Sequence, residues 1–386
     1  MANALQSKIA TSAFAFRGYD VKNLGRSREL LDHPAYGRTM RLCLDKASEV
    51  CGEVTGRLTD LAGWIMRNEE PGLDRYAEAV AMIMAVEWAQ IELLEEYHDV
   101  RLCDAALAYG YSLGELTAVA CTGVLEVAEV MQVPVAMAED SAALARNVTM
   151  GVLFSRGPAI NEIDVRRLCH QITAEGKGTI GYSSVLSPNT LLLLGQNDTI
   201  ARFKERMHQF LPNPAHMRLN DNRWPPLHTP IVRQKHIPDR ASVMMETMGG
   251  GFQPPCPPIL SLVTGQRSYD DDRAREILRN WVDHPQRLWD AVYETLASGI
   301  TTVIHVGPAP NLIPATFHRL SDNVQQQISG RTIGKMGLRA AAGLARRPWL
   351  SAILPSRTAL LRAPAIKHVI LEDWLLDHAP GAENGS

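Results

Sequence analysis

The chain has 386 residues, of which 46% are hydrophobic and 21% are charged, and its formal net charge is -3. This length allows a large buried core and more than one domain, and the near balance of charge excludes a general attraction to nucleic acid. The six cysteines are scattered without a C-x-x-C pair, so we expect reduced, mostly buried thiols in a cytoplasmic protein. We expect neither a signal peptide nor a segment long enough to span a bilayer.

The first part of the chain combines short apolar runs with longer amphipathic ones. Residues 11–16 (TSAFAF) favour a buried strand that ends in a loop. Between residues 36 and 97, apolar side chains recur every three or four positions, which predicts helices. A short apolar strand over 104–112 (DAALAYGYS) then leads into a helix over 113–125 (LGELTAVACTGVL).

Ser112 lies in the pattern Gly110-x-Ser112-x-Gly114, which is typical of a nucleophile elbow. The glycines remove β-carbons that would collide in a tight strand-to-helix turn, so the serine hydroxyl can be held exposed. The positive end of the following helix dipole and its free N–H groups suit a developing oxyanion. The same pattern occurs in ordinary turns, but the surrounding strand, turn and helix favour a nucleophile.

Residues 149–218 predict the order strand, helix, strand, strand, helix, strand, which is the split motif of ferredoxin-like domains. We therefore expect a ferredoxin-like subdomain over 149–218, inserted into a larger α/β domain formed by 1–148 and 219–330. In the second part of the larger domain, the pattern predicts an apolar segment, one helix over 275–298 and a strand that begins near residue 301.

The remaining residues, 331–386, form a C-terminal extension. Its segment 331–371 carries eight Lys or Arg residues and no Asp or Glu, interleaved with apolar residues. One interpretation is a strand and a helix that wrap around the domain and leave the charges solvated. The other is a basic apolar surface for an acidic partner, or for peripheral contact with an anionic membrane.

A serine hydroxyl needs a base that takes its proton. Among the twelve histidines, His228 is the best candidate, because prolines flank it in residues 224–230 (WPPLHTP) and stiffen its loop. A single histidine is usually structural, so the catalytic role of His228 is inferred from the order of the motifs along the chain. A serine elbow, a ferredoxin-like insert, a proline-flanked histidine and a strand ending in Gly-Pro resemble the malonyl-CoA:acyl carrier protein transacylase family.

The resemblance covers roughly residues 11–320. It depends on five segments. They are the first strand and its loop (13–37), the elbow helix (110–125), a strand pair (187–196), the histidine loop (225–230) and a late strand (304–312). The family's G-Q-G-S-Q loop becomes Gly18-Tyr19-Asp20-Val21-Lys22, which loses a glycine and the glutamine. Donation to an oxyanion needs only a backbone N–H, so this function can survive the change.

The resemblance implies an α/β fold with an α/β-hydrolase-like large domain, a mainly parallel sheet and the inserted ferredoxin-like subdomain. It implies that Ser112 attacks an acyl thioester and that His228 is its base. The backbone N–H groups of Leu113 and Tyr19 would form the oxyanion hole. In the family, backbone carbonyls orient the imidazole, and Asn280 is an additional candidate for this role.

The resemblance also implies the reactants. Acyl-CoA would be the acyl donor, and the phosphopantetheine thiol of an acyl carrier protein would be the acceptor. We expect no permanently bound cofactor, and no metal site because the histidines and cysteines lack ligand spacings. Carrier proteins are typically acidic, so a basic docking surface is expected near the site. The candidates are the basic tail and four side chains around the histidine loop: Arg218, Arg223, Arg233 and Lys235.

The acyl pocket departs from the family. Members that take malonyl groups have an arginine twenty-five positions after the serine, where this chain has Met137, and the nearest arginine is Arg146. A buried carboxylate without a counter-charge costs on the order of several kcal/mol. We therefore expect a preference for uncharged acyl groups, unless another arginine reaches the site. Tyr111, Trp224 and Leu227 also make the expected pocket apolar.

Two other functions remain open. The absence of the arginine that would pair with a substrate carboxylate would suit a hydrolase that removes acyl groups from carrier proteins. The altered first loop would suit a non-catalytic relative that only binds a carrier protein, although such a relative has no physical need for both Ser112 and His228. The sequence favours an acyltransferase of fatty-acid or polyketide-like synthesis.

Overall fold

The computed structural model describes residues 5–156, 158–211, 215–270, 272–328 and 356–381. The α-helices are α1 (Ser27–Asp32), α2 (Gly37–Thr55), α3 (Leu61–Arg67), α4 (Tyr76–His98), α5 (Leu113–Cys121), α6 (Val127–Ala145), α7 (Glu162–Ala174), α8 (Thr199–Arg206), α9 (Ile237–Glu246), α10 (Ala274–Trp281), α11 (Leu288–Ala297), α12 (Leu312–Ile328), α13 (Ser356–Ala359) and α14 (Leu371–Asp377). The strands are β1 (Ser12–Phe16), β2 (Leu107–Gly110), β3 (Val148–Ser155), β4 (Ile180–Ser187), β5 (Thr190–Gln196), β6 (Ala215–Asn220), β7 (Thr302–Val306) and β8 (Lys367–Ile370).

One sheet is parallel and has the strand order β2-β1-β7-β8. Every residue of β1 and β7 is buried, as expected for central strands that are covered on both faces. The predicted apolar segment after residue 256 runs beside β2, where the N–H of Ala108 donates to the carbonyl of Pro258 at 2.9 Å. The carboxyl end of β2 leads directly into α5, which places the elbow at one edge of this sheet.

The second sheet is antiparallel and has the order β4-β5-β3-β6. With α7 and α8 as its connecting helices, it has the strand order of a ferredoxin-like domain. These two sheets confirm the predicted fold class. The domain limits proposed from the sequence, at residues 148 and 218, stay a prediction.

The helix predicted over 275–298 is wrong as a single element. It consists of α10 and α11, which are separated by residues 282–287. The reason is Pro285, which has no N–H to donate and disfavours helical geometry at the residue before it. This break matters for the site, because residues at and after the end of α10 contact the histidine loop.

The expectation that all six cysteines are reduced is also wrong. Cys103 and Cys256 form a disulfide, with their Cα atoms 4.7 Å apart, although 153 positions separate them in the sequence. Spacing rules detect only cysteines that are close in sequence, whereas this pair meets because the segment before residue 259 runs beside β2. The cytoplasmic location was predicted from reduced thiols, and Cys103 and Cys256 no longer support that prediction. The free cysteines are Cys43, Cys51, Cys121 and Cys169.

The described part of the C-terminal extension packs onto the larger domain. Strand β8 extends the parallel sheet next to β7, and α14 follows it directly. Arg362 is buried, and its guanidinium donates to the carbonyls of Leu296 and Ile300 at the end of α11. Residues 356–381 therefore pack onto the domain as the first interpretation expects, but Arg362 is buried rather than solvated. Most of the basic run lies outside the described residues. No described helix is long and apolar enough to cross a bilayer.

Candidate active site

Ser112 occupies the predicted strand-to-helix turn with an unusual backbone conformation. Its φ of 55° and ψ of -117° are rarely adopted by residues with a side chain. The neighbouring glycines are required by close approach, because a Cβ at Gly110 would lie 2.0 Å from the carbonyl carbon of Gly114. A Cβ at Gly114 would lie 2.4 Å from the carbonyl oxygen of Phe16. The elbow is therefore a strained turn that holds the serine between β2 and α5.

Helix α5, which follows the serine, is anchored by a buried carboxylate. Glu115 accepts hydrogen bonds from the hydroxyls of Ser261 at 2.6 Å and Tyr269 at 3.0 Å, and from the N–H of Leu262 at 3.2 Å. Burial raises the pKa of Glu115 to about 7, although these bonds oppose the rise. The anchor fixes the first turn of α5, which follows Ser112 directly.

His228 lies within hydrogen-bonding distance of the serine. The distance between Ser112 Oγ and His228 Nε2 is 2.7 Å, and His228 Nδ1 lies 2.7 Å from the carbonyl oxygen of Trp281. Because a carbonyl only accepts, the proton lies on Nδ1 and Nε2 is free to accept from the serine. The N–H of His228 also donates to the carbonyl of Val282 at 2.8 Å, which fixes the loop.

The imidazole is neutral at physiological pH. Burial lowers the pKa of His228 from 6.5 to about 4, and the bond to Trp281 and the charge of Asp283 oppose this shift only in part. A neutral imidazole with a free Nε2 is the form that can take a proton from a hydroxyl. The geometry and the protonation state therefore suit a Ser–His pair.

Two residues of this site escaped the sequence analysis. The indole Nε1 of Trp281 donates to the carbonyl of Ser112 at 2.8 Å, and the side-chain oxygen of Gln286 accepts from the N–H of Ser112 at 3.0 Å. The amide nitrogen of Gln286 lies 3.4 Å from His228 Nδ1, and both residues are fully buried. The only sequence signal was Pro285, which breaks the predicted helix between them. In the structure, Nδ1 bonds the carbonyl of Trp281 rather than Asn280, which corrects the expectation for that residue.

The two N–H groups expected to stabilise an oxyanion both lie at the elbow. Leu113 is the first residue of α5, and Tyr19 follows Gly18, where a Cβ would be only 3.3 Å from the Cβ of Ser112. Among the described residues, neither N–H has a hydrogen-bond acceptor. The ring of Tyr19 packs edge-on against Tyr76, with centroids 4.9 Å apart. Both N–H groups therefore remain available next to the serine.

A small chamber adjoins Ser112 and includes Met137. Its volume is about 10 Å³, room for about one water molecule. The hydroxyl of Ser141 is buried there, and no described residue hydrogen-bonds to it. Neither Arg146 nor any other charged residue is among the described residues of the lining, which are Tyr76, Ser112, Leu113, Pro134, Met137, Ser141, Leu227 and Trp281.

A larger cleft of about 1670 Å³ leads away from the serine and the histidine. Its walls come from the antiparallel sheet, from the loops that follow β1 and β2, and from α12. It includes the predicted pocket residues Tyr111, Trp224 and Leu227. Arg218 and Arg319 are exposed in this lining, and neither is ion-paired with any described residue. The cleft therefore combines a reactive end with two exposed cations, and its lining also holds the carboxylates of Asp20 and Asp221.

The other basic residues proposed for docking have partners. Arg233 lies 2.7 Å from Asp283, and Lys235 lies 3.6 Å from Asp140. Arg223 donates to the carbonyl of Val148 at 3.0 Å. Of the four candidates, Arg218 is the one in the cleft lining. In the described ranges, no group of three or more His, Cys, Asp or Glu side chains has an arrangement that could hold a metal ion.

Sequence comparison gives a distant relative. No family model matches the chain. The chain is 25% identical over 305 residues to polyketide synthase GfsA from Streptomyces halstedii, a match that covers 77% of this chain and 4% of that protein. The chain thus corresponds to only a small part of that relative's length.

Comparison with solved structures gives matches along most of the chain. The malonyl-CoA:acyl carrier protein transacylase FabD from Xanthomonas oryzae is 21% identical, with a TM-score of 0.64, and the match covers 80% of this chain and 90% of FabD. A malonyl-transacylase in complex with its type II polyketide synthase acyl carrier protein is 19% identical, with a TM-score of 0.62 and coverages of 80% and 92%. The acyltransferase domain of module 8 of the salinomycin polyketide synthase is 20% identical, with a TM-score of 0.63 and coverages of 80% and 67%. These matches confirm the resemblance, and the chain has the fold of the malonyl-CoA:acyl carrier protein transacylases and of polyketide synthase acyltransferase domains.

Proposed function

We propose that the protein is an acyltransferase that moves an acyl group from coenzyme A to the thiol of an acyl carrier protein through an ester on Ser112. The observation that carries this proposal is the 2.7 Å contact between Ser112 Oγ and Nε2 of a neutral, buried His228. A hydroxyl and a base in this geometry form an activated nucleophile.

In the first half-reaction, Ser112 Oγ attacks the carbonyl carbon of the thioester, and its proton passes to His228 Nε2. Negative charge develops on the former carbonyl oxygen, where the N–H groups of Leu113 and Tyr19 would donate. The tetrahedral intermediate collapses with cleavage of the carbon–sulfur bond. The leaving coenzyme A sulfur takes the proton from His228, and the acyl group remains on Ser112.

In the second half-reaction, the carrier thiol gives its proton to His228 and attacks the ester carbonyl. Collapse of the second intermediate breaks the bond to Ser112 Oγ, which recovers its proton from His228. The carbonyl of Trp281 holds the Nδ1 proton throughout, so the imidazole alternates between base and acid without rotation.

The small chamber supports a preference for uncharged acyl groups. Met137 is 1% exposed, and its described neighbours in the chamber bring no cation that could pair with a carboxylate. A malonyl carboxylate there would be buried without its counter-charge. A short, neutral acyl group such as acetyl would need no such compensation.

The larger cleft supports a carrier-protein acceptor. Arg218 and Arg319 are exposed cations with no ion pair among the described residues, which suits the phosphates of coenzyme A or of a phosphopantetheine arm. A malonyl-transacylase of the same fold forms a complex with a polyketide acyl carrier protein. We therefore place the pantetheine arm in this cleft, with its thioester end at Ser112.

Intact mass spectrometry tests the acyl-enzyme directly. The protein is incubated with acetyl-, propionyl-, butyryl- and malonyl-CoA and then weighed. We expect adducts on the wild type from the neutral donors, none on Ser112→Ala, and wild-type behaviour for Ser298→Ala, a variant at an exposed serine away from the cleft. Absence of an adduct that depends on Ser112 would refute the proposal.

The acceptor is tested with the preformed adduct. Loss of the acyl group is followed with holo carrier protein and with buffer alone. Transfer predicts that the carrier thiol discharges the ester faster than water does and becomes acylated. The alternative of a hydrolase predicts rapid loss in buffer, and a carrier-binding relative without activity predicts no adduct at all.

A further inference from the structure

We propose that Arg17 is a positioning residue, which aims the N–H of Tyr19 at the reaction centre by holding the peptide group before it. This inference rests on the proposed function, in which that N–H helps to stabilise the oxyanion. Arg17 is not a catalytic residue in this role, because it acts on the backbone and not on the substrate. No feature of the first loop predicted it from the sequence.

The central contact is a hydrogen bond from Arg17 Nε to the carbonyl of Gly18, at 2.7 Å. This carbonyl and the N–H of Tyr19 belong to the same peptide group, which is planar with its C=O and N–H pointing in opposite directions. Fixing the carbonyl therefore fixes the direction of the N–H. Gly18 itself lies against the elbow, since a Cβ there would be 2.7 Å from the carbonyl oxygen of Tyr111 and 3.3 Å from the Cβ of Ser112.

The guanidinium is held in turn by several acceptors. Arg17 Nη2 donates to Asn23 Oδ1 at 2.8 Å, and Nη1 donates to the carbonyls of Lys22, at 3.2 Å, and Pro308. The side chain is buried, with only 4% of the residue exposed. A planar fork of donors can satisfy these acceptors at once, which a lysine ammonium at the end of a flexible stem cannot do.

The other side of Tyr19 is fixed through the same network. Asn23 Oδ1 also accepts from the N–H of Asp20 at 2.9 Å, and Asn23 Nδ2 donates to the carbonyl of Asp20 at 2.5 Å. Glu70 accepts from the N–H of Asn23 at 3.0 Å and from that of Leu24 at 3.1 Å. The peptide groups before and after Tyr19 are therefore both hydrogen-bonded, while its own N–H is left for a ligand.

The energetic argument favours positioning over packing. Burying a guanidinium costs several kcal/mol unless its donors are satisfied, and an apolar residue would fill the same space without this cost. The bonds that satisfy Arg17 all go to the loop 18–23 and to Pro308. The hydrogen bonds of the buried guanidinium therefore hold the segment that carries the Tyr19 N–H.

The test compares Arg17→Lys with wild type using two reagents that modify Ser112. A fluorophosphonate needs the Ser–His pair and an oxyanion site but no coenzyme A, and acetyl-CoA tests the proposed reaction. We expect Arg17→Lys to slow both modifications by about 100- to 1000-fold, the range for losing one oxyanion donor. The acetyl-CoA concentration at half-maximal rate should change less than about threefold, because ground-state binding does not use this N–H.

The matched control is Arg26→Lys. Arg26 is an arginine near the same loop that is bonded to Glu29 and Asp373, and its side chain is 36% exposed. We expect it to react at the wild-type rate. A purely structural role for Arg17 predicts a lower melting temperature with an unchanged rate constant in the folded fraction, and that result overturns the proposal.

Three further outcomes are decisive. If Arg17→Lys does not fold, Asn23→Ser replaces it, and a rate equal to that of wild type then rejects the positioning role. If wild type reacts with the fluorophosphonate in an Arg17-dependent way but not with any acyl-CoA, the positioning role stands and the proposed function fails. If neither reagent modifies Ser112 in the wild type, both are rejected.

Discussion

Trp281 contacts both members of the Ser–His pair: its carbonyl accepts from His228 Nδ1 at 2.7 Å, and its indole Nε1 donates to the carbonyl of Ser112 at 2.8 Å. One residue thus orients the imidazole through its backbone and the elbow through its side chain. Because it terminates α10, the position of the base relative to the nucleophile depends on where that helix ends. No carboxylate is needed to select the Nδ1 tautomer.

The first prediction concerns the pH dependence of acylation. Burial lowers the pKa of His228 from 6.5 to about 4, so the base form persists well below neutral pH. We expect the rate constant for Ser112 acylation to stay nearly constant as pH falls through 6.5, and to drop only as pH approaches the lowered pKa. A midpoint at or above 6.5 in single-turnover mass spectrometry would contradict it.

The first prediction extends to the stability of the fold, because the lowered pKa of His228 gives the effect a defined sign. In the unfolded chain, His228 takes a proton near its ordinary pKa of 6.5, whereas in the folded chain it resists protonation down to about 4. The folded state therefore loses stability as pH falls between these values. Comparing wild type with His228→Gln by urea denaturation should show a steeper loss of stability for wild type in this window.

The second prediction concerns Gln286, which contacts Ser112 in the candidate active site. Replacing it with alanine removes the acceptor of the Ser112 N–H and leaves that partly buried group unpaired. We expect a loss of about 1–3 kcal/mol in the free energy of unfolding and a slower acylation of Ser112. Gln234→Ala is the control, because Gln234 is likewise a hydrogen-bonded glutamine, with Gln196 as its partner, but lies away from the elbow. Equal rates for Gln286→Ala and wild type would show that this contact does not position the serine.

The size of the acyl chamber gives a third prediction. Met137→Ala should enlarge the chamber and raise the rate with butyryl-CoA relative to acetyl-CoA by about tenfold or more, since one methylene in an apolar pocket is worth about 1–3 kcal/mol. The same change should destabilise the fold by about 2–5 kcal/mol. Met131→Ala provides the control, because Met131 is equally buried on α6 but does not line the chamber. An unchanged ratio would place the acyl group elsewhere.

The sequence predicted the elements whose signals are local. The elbow at Ser112 and the stiff loop at His228 can each be recognised from a few neighbouring residues, and so can the alternation of strands and helices in the antiparallel sheet. The mainly parallel sheet and the approach of the two side chains were expected only through the family resemblance. Periodicity alone gives no information about which distant segments meet.

The parts that were missed depend on contacts between distant segments. Trp281 and Gln286 lie in a region where an amphipathic pattern continues across Pro285, and their roles become visible only when α10 ends against the histidine loop. Asn280 was considered for its polar side chain, but a backbone carbonyl provides the contact. The Cys103–Cys256 disulfide was missed for a similar reason, because its partners are 153 positions apart.

That disulfide gives a fourth prediction. It cross-links a long loop, and such links typically stabilise a fold by about 2–4 kcal/mol through restriction of the unfolded chain. Both cysteines are exposed, so a reductant can reach the bond. We expect a reducing agent to lower the melting temperature of wild type and to leave that of the double variant Cys103→Ser/Cys256→Ser unchanged. Peptide mapping without reduction should recover the linked pair, and two free thiols at these positions would contradict the prediction.

A fifth prediction concerns Glu372, at the start of α14 in the C-terminal extension. Its carboxylate accepts from the N–H of Arg26 at 2.8 Å and from that of Ala309 at 2.9 Å, so it joins the first loop to the loop after β7. Only 4% of the residue is exposed, and burial raises its pKa above the ordinary value. Glu372→Ala leaves two N–H groups without their acceptor, at a cost of about 1–3 kcal/mol each.

Urea denaturation measures this effect, and the neighbouring carboxylate provides the comparison. Asp373 pairs with Arg26 at 3.0 Å, but its side chain is 51% exposed. Exposed ion pairs contribute about 0–1 kcal/mol, so Asp373→Asn should be nearly neutral. If both variants unfold at the wild-type urea concentration, the extension packs against the domain without bracing these loops. If Glu372→Ala alone is destabilised, residues beyond the family resemblance support the loop that carries Tyr19.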